Sequence, residues 1–350
     1  MRSLLATGEE VRGVLVAHSG EWNAFNHKIK SPENRYEREE RESLYLSDGA
    51  TLSINSKGRV FPEEEDRNRT CFEVDRDRIL RSATFRRMAG KCQVFINPAD
   101  DMLRTRLTHT LEVEQIASSI SNALGLNTNL ARAIALAHDC GHGPGGHTSE
   151  EAFTPFLSNG FDHATWGADH ALTDLNLTYE TLDGVRNHSW RLSPPSTPEA
   201  SVVSWADRIA YVTHDWADAV RIGMVKENDL PKYISTTVSK NQDTQVQFFI
   251  KKLVICSRYS GAVSMDLDSA KLLNEFRNHN FNVIYSDRNT AQSNEKFKKM
   301  LVSLVDFYIE SDTNINKHES ALSAVKYVAS MTDRYSIKVA ERELGYKWYD

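Results

Sequence analysis

An all-α fold is the expectation for this chain, and three observations carry it. From about residue 75 onward apolar residues recur at steps of three and four, alternating β-branched runs are scarce, and helix start and stop residues punctuate the pattern. Val113, Ile116, Ile120 and Ala123 line one face of a helix predicted over 109–124, with Gly125 placed as its stop. Asn127, Thr128 or Asn129 then caps a second helix, which runs through Leu130, Ile134 and Leu136 to about Asp139. So short a connection makes the two helices antiparallel neighbours and returns His109 to the side of His138 and Asp139.

A third helix opens on Thr197 as cap, Pro198 at the first helical position and Glu199 against the positive end of the dipole, and continues to Gly223. Trp205, Ile209, Val212, Trp216 and Ala219 form its apolar stripe, and Asp207, Tyr211, Asp215 and Asp218 a second stripe on another face. Asp218 is expected to be solvated. Asp207 and Asp215 flank Tyr211 among bulky neighbours, which predicts a partly enclosed site there.

The chain has 350 residues, enough to bury a core without staples. Its four cysteines, Cys71, Cys92, Cys140 and Cys256, lie far apart with no CxxC pair, so reduced thiols are expected rather than disulfides or a zinc site. No stretch sustains the apolar length of a signal-peptide core or a membrane span, and a soluble cytoplasmic protein is the expectation. A net charge of −6 argues against a body-wide nucleic-acid footprint, although the segment 75–91 concentrates six basic residues, Arg76, Arg78, Arg81, Arg86, Arg87 and Lys91. The expected organisation is a charged, partly helical N-terminal segment over 1–65, a catalytic core over 66–225 and a helical C-terminal region over 226–350.

The chemistry concentrates in "ALAHDCGHGPGGHTSEEAF", residues 135–153. His109, His138, Asp139 and the distant Asp207 together offer two imidazoles and two carboxylates. That donor set suits an octahedral divalent ion such as Mn, Fe, Co or Ni, with Mg less comfortable because it prefers oxygen. With positions left open to solvent, such an ion makes water acidic enough to attack phosphorus near neutral pH. An HD dipeptide alone says little, and the second one, His214-Asp215, is not expected to bind metal because Asp207 already occupies that helix face. The glycines between His142 and His147 let backbone pass close to the site. Thr148 to Glu151 reads as a capping box for the next helix, which leaves Glu150 to orient His147 as a proton donor to a leaving oxygen.

Read together, "DRDRILRSATFRRMAGKCQVF", "RTRLTHTLEVEQIA", "HDCGHGPGGH", "GVRNHSW", "SWADRIAYVTHDWADAV" and "VASMTDRY" resemble the successive motifs of the deoxyguanosinetriphosphate triphosphohydrolase family, a branch of the HD-domain metal-dependent phosphohydrolases. The match spans roughly residues 35–340, in the family order. The resemblance implies an HD-domain helical fold with additional N- and C-terminal helices, and hydrolysis of a deoxynucleoside triphosphate to the deoxynucleoside and inorganic triphosphate. It implies that His109, His138, Asp139 and Asp207 hold the metal, Mn foremost, and that His147 and Glu150 act at the scissile bond. His163 would hold the place of a leaving-group or phosphate contact. Arg106, His142 and Arg208 would meet phosphate oxygens, while Gln93 and Asp215 would contact the sugar 3′-hydroxyl with Tyr211 packed against the ring. A homo-oligomer, dimer or hexamer, is implied by analogy, as is an effector role for dNTPs or single-stranded nucleic acid. The chain departs from many members in reading "GPGG" in the glycine loop and "GFDHATWGADH" around His163. The competing readings are an HD-type 5′-nucleotidase or phosphodiesterase and a non-catalytic nucleotide-sensing or nucleic-acid-binding regulator.

Overall fold

The computed structural model describes residues 33–96, 98, 100–311 and 317–348, with the backbone of two short strands at 9–11 and 14–16. The chain divides into two units, 1–34 and 35–350. In the first, β1 (Glu9–Val11) pairs antiparallel with β2 (Val14–Val16), Glu9 opposite Val16. That hairpin was not expected from the sequence. Everything else described is helix and connection, so the fold is all-α as predicted.

The second unit begins with α1 (Arg35–Tyr45), α2 (Cys71–Arg81) and α3 (Ala83–Arg87). Glu73 accepts the Thr70 N–H at 2.9 Å and so closes the start of α2. Next come α4 (Arg106–Leu124) and α5 (Thr128–Ala137), separated by Gly125 in the left-handed conformation at φ 66 and by Asn127, which caps α5 through Leu130 N at 3.3 Å. Compared with expectation, α4 starts three residues earlier, at Arg106, because Thr105 caps it, and α5 ends two residues before Asp139. His109 and His138 lie side by side, ring centroids 5.6 Å apart, as two antiparallel helices require.

The short helices α6 (His147–Phe153), α7 (His163–Trp166) and α8 (Tyr179–Arg186) follow. Here the expected capping box fails. Gly146, at φ 60, is the N-cap of α6, so the helix begins at His147 and Thr148 already lies inside its first turn. Then α9 (Pro198–Arg221) runs as predicted from its Thr197 cap, which accepts from Ala200 N at 3.2 Å. The remaining helices are α10 (Lys232–Val238), α11 (Gln242–Ser260), α12 (Leu267–Asn280), α13 (Arg288–Ser311), α14 (Lys317–Ala329) and α15 (Asp333–Leu344).

Three apolar clusters hold these helices together. One joins α4, α5 and α9 to α11 and α12 through Ile116, Ile134, Ile209, Phe249 and Phe276. A second joins α6 to α13, α14 and α15 through Phe153, Phe297, Leu301, Val328 and Ile337. The third sets α5 against α2 and α8 through Ile79, Leu136 and Val185. The glycine loop after α5 lies close to Arg106 of α4, Phe153 of α6, His163 of α7 and Phe297 of α13. On α9 the expected solvation of Asp218 is wrong: it is buried and its carboxylate pairs with Arg104, whose backbone N–H also reaches it at 3.1 Å. Helix periodicity placed Asp218 on the polar face, but the 104 segment covers that face.

Candidate active site

The metal-type group forms where α4, the end of α5 and α9 meet. His109 Nε2 lies 3.1 Å from Asp207 Oδ1, and His138 Nε2 lies 3.5 Å from Asp139 Oδ1 and 3.7 Å from Asp207 Oδ1. The orientation of His138 is set locally, since its Nδ1 faces the Ala135 carbonyl at 2.7 Å. That hydrogen bond assigns the ring proton to Nδ1, leaving Nε2 with a lone pair. Nε2 is buried without a hydrogen-bond partner, as is Nδ1 of His109. A lone pair and two carboxylate oxygens converging in a buried space repel one another unless a cation lies between them. Imidazole and carboxylate together fit a divalent transition ion. Burial would raise the pKa of Asp207, but the hydrogen bond with His109 foremost outweighs it and brings the group down to about 2.

Asp139 is the hinge of the site. Its Oδ2 accepts from Arg106 Nη1 at 2.7 Å, while its Oδ1 faces His138 at 3.5 Å, His142 at 3.3 Å and His163 at 3.9 Å. Burial opposes its charge, yet Arg106, His138 and His142 keep its pKa well below the usual carboxylate range. Arg106 is only 2 % exposed, and its Nε and Nη2 have no partner. A Cβ on Gly146 would overlap Nη2, which is one physical reason for glycine at this point of the loop.

On the other side of Asp139 stand His142, His147, Glu150 and His163, whose ligand-type atoms also cluster. Glu150 is shared: His163 Nδ1 bonds to it, His147 Nδ1 lies at 3.5 Å and His142 Nδ1 at 3.9 Å. Burial would raise its pKa, but the hydrogen bonds with His147 and His163 drive it far down. Burial in turn opposes charge on His163, and the bond to Glu150 overcomes it and raises that pKa. The His142 ring stacks on His163 with centroids 3.8 Å apart. His147 is the outward member, 68 % exposed and therefore open to an incoming molecule.

Asp215 and Tyr211 lie further along α9, each in contact with a residue of a later segment, Tyr285 or Arg277. Asp215 is buried, receives the Tyr285 hydroxyl on Oδ2, and has its other oxygen unpartnered. Burial lifts its pKa to about 7. Tyr211 accepts from Arg277 Nε at 3.1 Å. Arg208 points elsewhere, over the Trp190 ring at 4.0 Å and toward Asn274 at 3.5 Å. Gln93 donates its backbone N–H to Arg104 O at 3.4 Å, and its buried side-chain oxygen is unpartnered. His214 sits 3.0 Å from Glu112, with its ring edge-on to that of His109 at 6.4 Å.

Several side chains here escaped sequence reasoning. His188 lies beside His138 and His163, with ring centroids 5.1 and 5.0 Å away. Its motif, "GVRNHSW", was legible, but the residue's role was not. Lys91 donates to His142 O at 2.5 Å and Ala329 O at 3.0 Å, while Asp333 accepts from Cys92 N and Gly145 N, each at 2.8 Å. Both are buried, Lys91 tying the loop to the end of α14 and Asp333 tying it to the start of α15. Of the basic segment 75–91, Arg76 pairs with Asp77 and Arg78 with Glu63, so these two are engaged within the protein.

The fold and this site define an HD-domain, metal-dependent phosphohydrolase, and residues 106–212 match the HD domain family. The chain is 37% identical over 327 residues to a deoxyguanosinetriphosphate triphosphohydrolase-like protein of Caldanaerobacter subterraneus subsp. tengcongensis, covering 89% of this chain and 96% of the relative. A relative with the same description from Clostridium tetani is 36% identical over 329 residues, covering 87% of this chain and 93% of its own length. This chain therefore belongs to the deoxyguanosinetriphosphate triphosphohydrolase-like family. A solved structure of a hypothetical protein from Aquifex aeolicus overlays with a TM-score of 0.49 at 16% identity, over 76% of this chain and 67% of that one. Among the described residues no helix is long and apolar enough to cross a membrane.

Proposed function

We propose that the protein hydrolyses a deoxynucleoside triphosphate, dGTP first among the candidates, to the deoxynucleoside and inorganic triphosphate. The observation that supports this most is the shared position of Asp139. Its Oδ1 stands between the His138 side, which suits a metal, and the His142, His163 and Glu150 side, which suits proton transfer. A phosphoryl group bound at the first would lie against the second.

In this reading His109, His138, Asp139 and Asp207 hold one divalent ion, with Mn favoured over Mg, Fe, Co or Ni. The ion supplies Lewis acidity at a phosphoryl oxygen and lowers the pKa of water. Arg106 and His142 meet phosphate oxygens, and Arg208 joins them by turning from Trp190. His147, steered by Glu150 and exposed at the mouth of the site, gives a proton to the departing 5′ oxygen, with His163 behind it. Gln93, Tyr211 and Asp215 read the sugar, and a near-neutral Asp215 can either donate to or accept from a 3′-hydroxyl. Residues 66–225 form the catalytic core. The protein acts in the cytoplasm as a dimer or hexamer that responds to dNTPs or single-stranded nucleic acid.

Incubation of the purified protein with each of the four dNTPs, alone and mixed, with Mn or Mg, tests the reading by anion-exchange analysis of products. Stoichiometric triphosphate and deoxynucleoside support it. Orthophosphate or pyrophosphate instead would make the protein a nucleotidase or phosphodiesterase.

A further inference from the structure

The segment "VASMTDRY" ends α14 and opens α15, and it sends one carboxylate between two parts of the site. Asp333 Oδ2 accepts the Cys92 N–H and Oδ1 the Gly145 N–H, each at 2.8 Å. Both donors belong to buried main chain and need partners, and a carboxylate offers an acceptor oxygen to each at once.

The two N–H groups belong to different machinery. Cys92 precedes Gln93, assigned to the sugar, and forms an antiparallel bridge with Thr105. In that bridge the Arg106 N–H meets the Lys91 carbonyl at 2.9 Å and the Gln93 N–H meets the Arg104 carbonyl at 3.4 Å. Gly145 lies between His142 and His147, assigned to phosphate and to proton transfer. Gly145 and Gly146 are both left-handed, at φ 72 and 60, so this stretch has wide backbone freedom and needs outside contacts to fix it. Lys91 supplies one, from its Nζ to the His142 carbonyl at 2.5 Å, and Asp333 supplies the other.

The carboxylate is itself firmly mounted. Ile337, Val339 and Ala340 of α15 are buried in the apolar cluster that includes α6 and α13. Thr332, the cap of α15, presses on Gly90, where a Cβ would stand 2.8 Å from its Cγ2.

We propose that Asp333 is a positioning residue that sets Gln93 in place relative to His147, so that proton transfer to the 5′ oxygen depends on recognition of the 3′-hydroxyl. The inference rests on the proposed roles of Gln93 and His147, and it adds α15 to the determinants of sugar selectivity.

Asp333→Asn in the whole chain tests it. The amide keeps the size of the side chain but turns one acceptor into a donor, so one of the two N–H groups loses its partner. Hydrogen exchange read by mass spectrometry is expected to quicken in 90–95, in 141–146 or in both. With Mn, kcat for dGTP is expected to fall by up to about 100-fold, and the preference in kcat/KM for dGTP over 2′,3′-dideoxy-GTP to shrink about tenfold. That preference is a ratio within one preparation and does not depend on the fraction folded. Ile337→Ala, a buried position of the same helix, is the control: it should lower the thermal midpoint and leave the preference as in the wild type.

Unchanged exchange in both segments would overturn the proposal. An unchanged preference in Asp333→Asn, or an equal loss in Ile337→Ala, would reduce Asp333 to a structural tie. If the wild type releases no triphosphate, the proposed reaction fails separately, and the preference is read instead as the ratio of dissociation constants for the two nucleotides in Ca(II), which needs no turnover. A wild type that binds the two alike overturns the proposal as well.

Discussion

Arg106 Nη1 donates to Asp139 Oδ2 at 2.7 Å, and this one contact decides which oxygen of Asp139 faces the histidines. Both groups are buried, so neither can exchange its partner for water. Replacing Arg106 by Leu leaves a buried carboxylate uncompensated and free to turn. The expected outcome is a loss of about 3–5 kcal/mol in stability and a roughly 10- to 100-fold weaker metal affinity. Chemical denaturation and Mn titration measure the two effects, and an unchanged affinity would mean that Asp139 is positioned by something else.

His138 and His147 are expected to separate metal binding from proton transfer. His138→Ala or Asp207→Ala should abolish turnover together with bound metal. His147→Ala should keep the metal, since its ring is exposed and outside the Asp207 group, yet lose about 10²- to 10⁴-fold in rate, the usual contribution of a general acid. Full activity in the His147 variant would remove it from the mechanism.

Gly141 tests how tightly the loop is packed. A Cβ there would overlap the His163 carbonyl oxygen and the Gly167 nitrogen, and would meet Gly167 Cα at 2.7 Å. These are backbone atoms, so no side chain can swing aside. Gly141→Ala should cost on the order of 3 kcal/mol or more, read as a lower thermal midpoint, and should displace His163. Gly223→Ala, at φ 72 with open space around it, serves as a milder control that strains the backbone alone.

Lys91 predicts a pH dependence of stability. Burial, with the nearby charge of Arg87, lowers its pKa from 10.5 to about 7, Arg106 adding to the shift and Asp333 and Cys140 opposing it. The unfolded chain therefore binds one more proton than the folded one between about pH 7 and 10.5, so this group makes stability rise with pH across that window. Its full extent is at most about 4–5 kcal/mol. In Lys91→Met the slope of stability against pH over this range should flatten, as measured by urea unfolding at several pH values. An identical slope in the variant would show that Lys91 does not titrate there.

Much of this was open to sequence reading because it is local. Asn127 caps α5, Gly125 stops α4 and Thr197 opens α9, each acting within four residues of itself. Where the local rule had a competitor it failed. Thr148 and Glu151 have the spacing of a capping box, but Gly146 at φ 60 turns the chain two residues earlier and takes the N-cap position. Asp218 follows the polar periodicity of α9, but Arg104 covers it from a distant segment.

By itself the sequence determined the all-α class, the helix ends at Gly125, Asn127 and Thr197, and the order His109, His138, Asp139, Asp207, because periodicity and capping are short-range and the antiparallel turn at Gly125 forces the first three together. Only the tertiary structure decided how Asp139 divides its oxygens between Arg106 and three histidines, that His188 arrives beside His163, and that Lys91 and Asp333 pin the glycine loop. The hydrogen bonds from Lys91 and to Asp333 join positions 51 to 241 residues apart. Contacts of that reach are selected by the packing of whole helices, and no spacing along the chain records them.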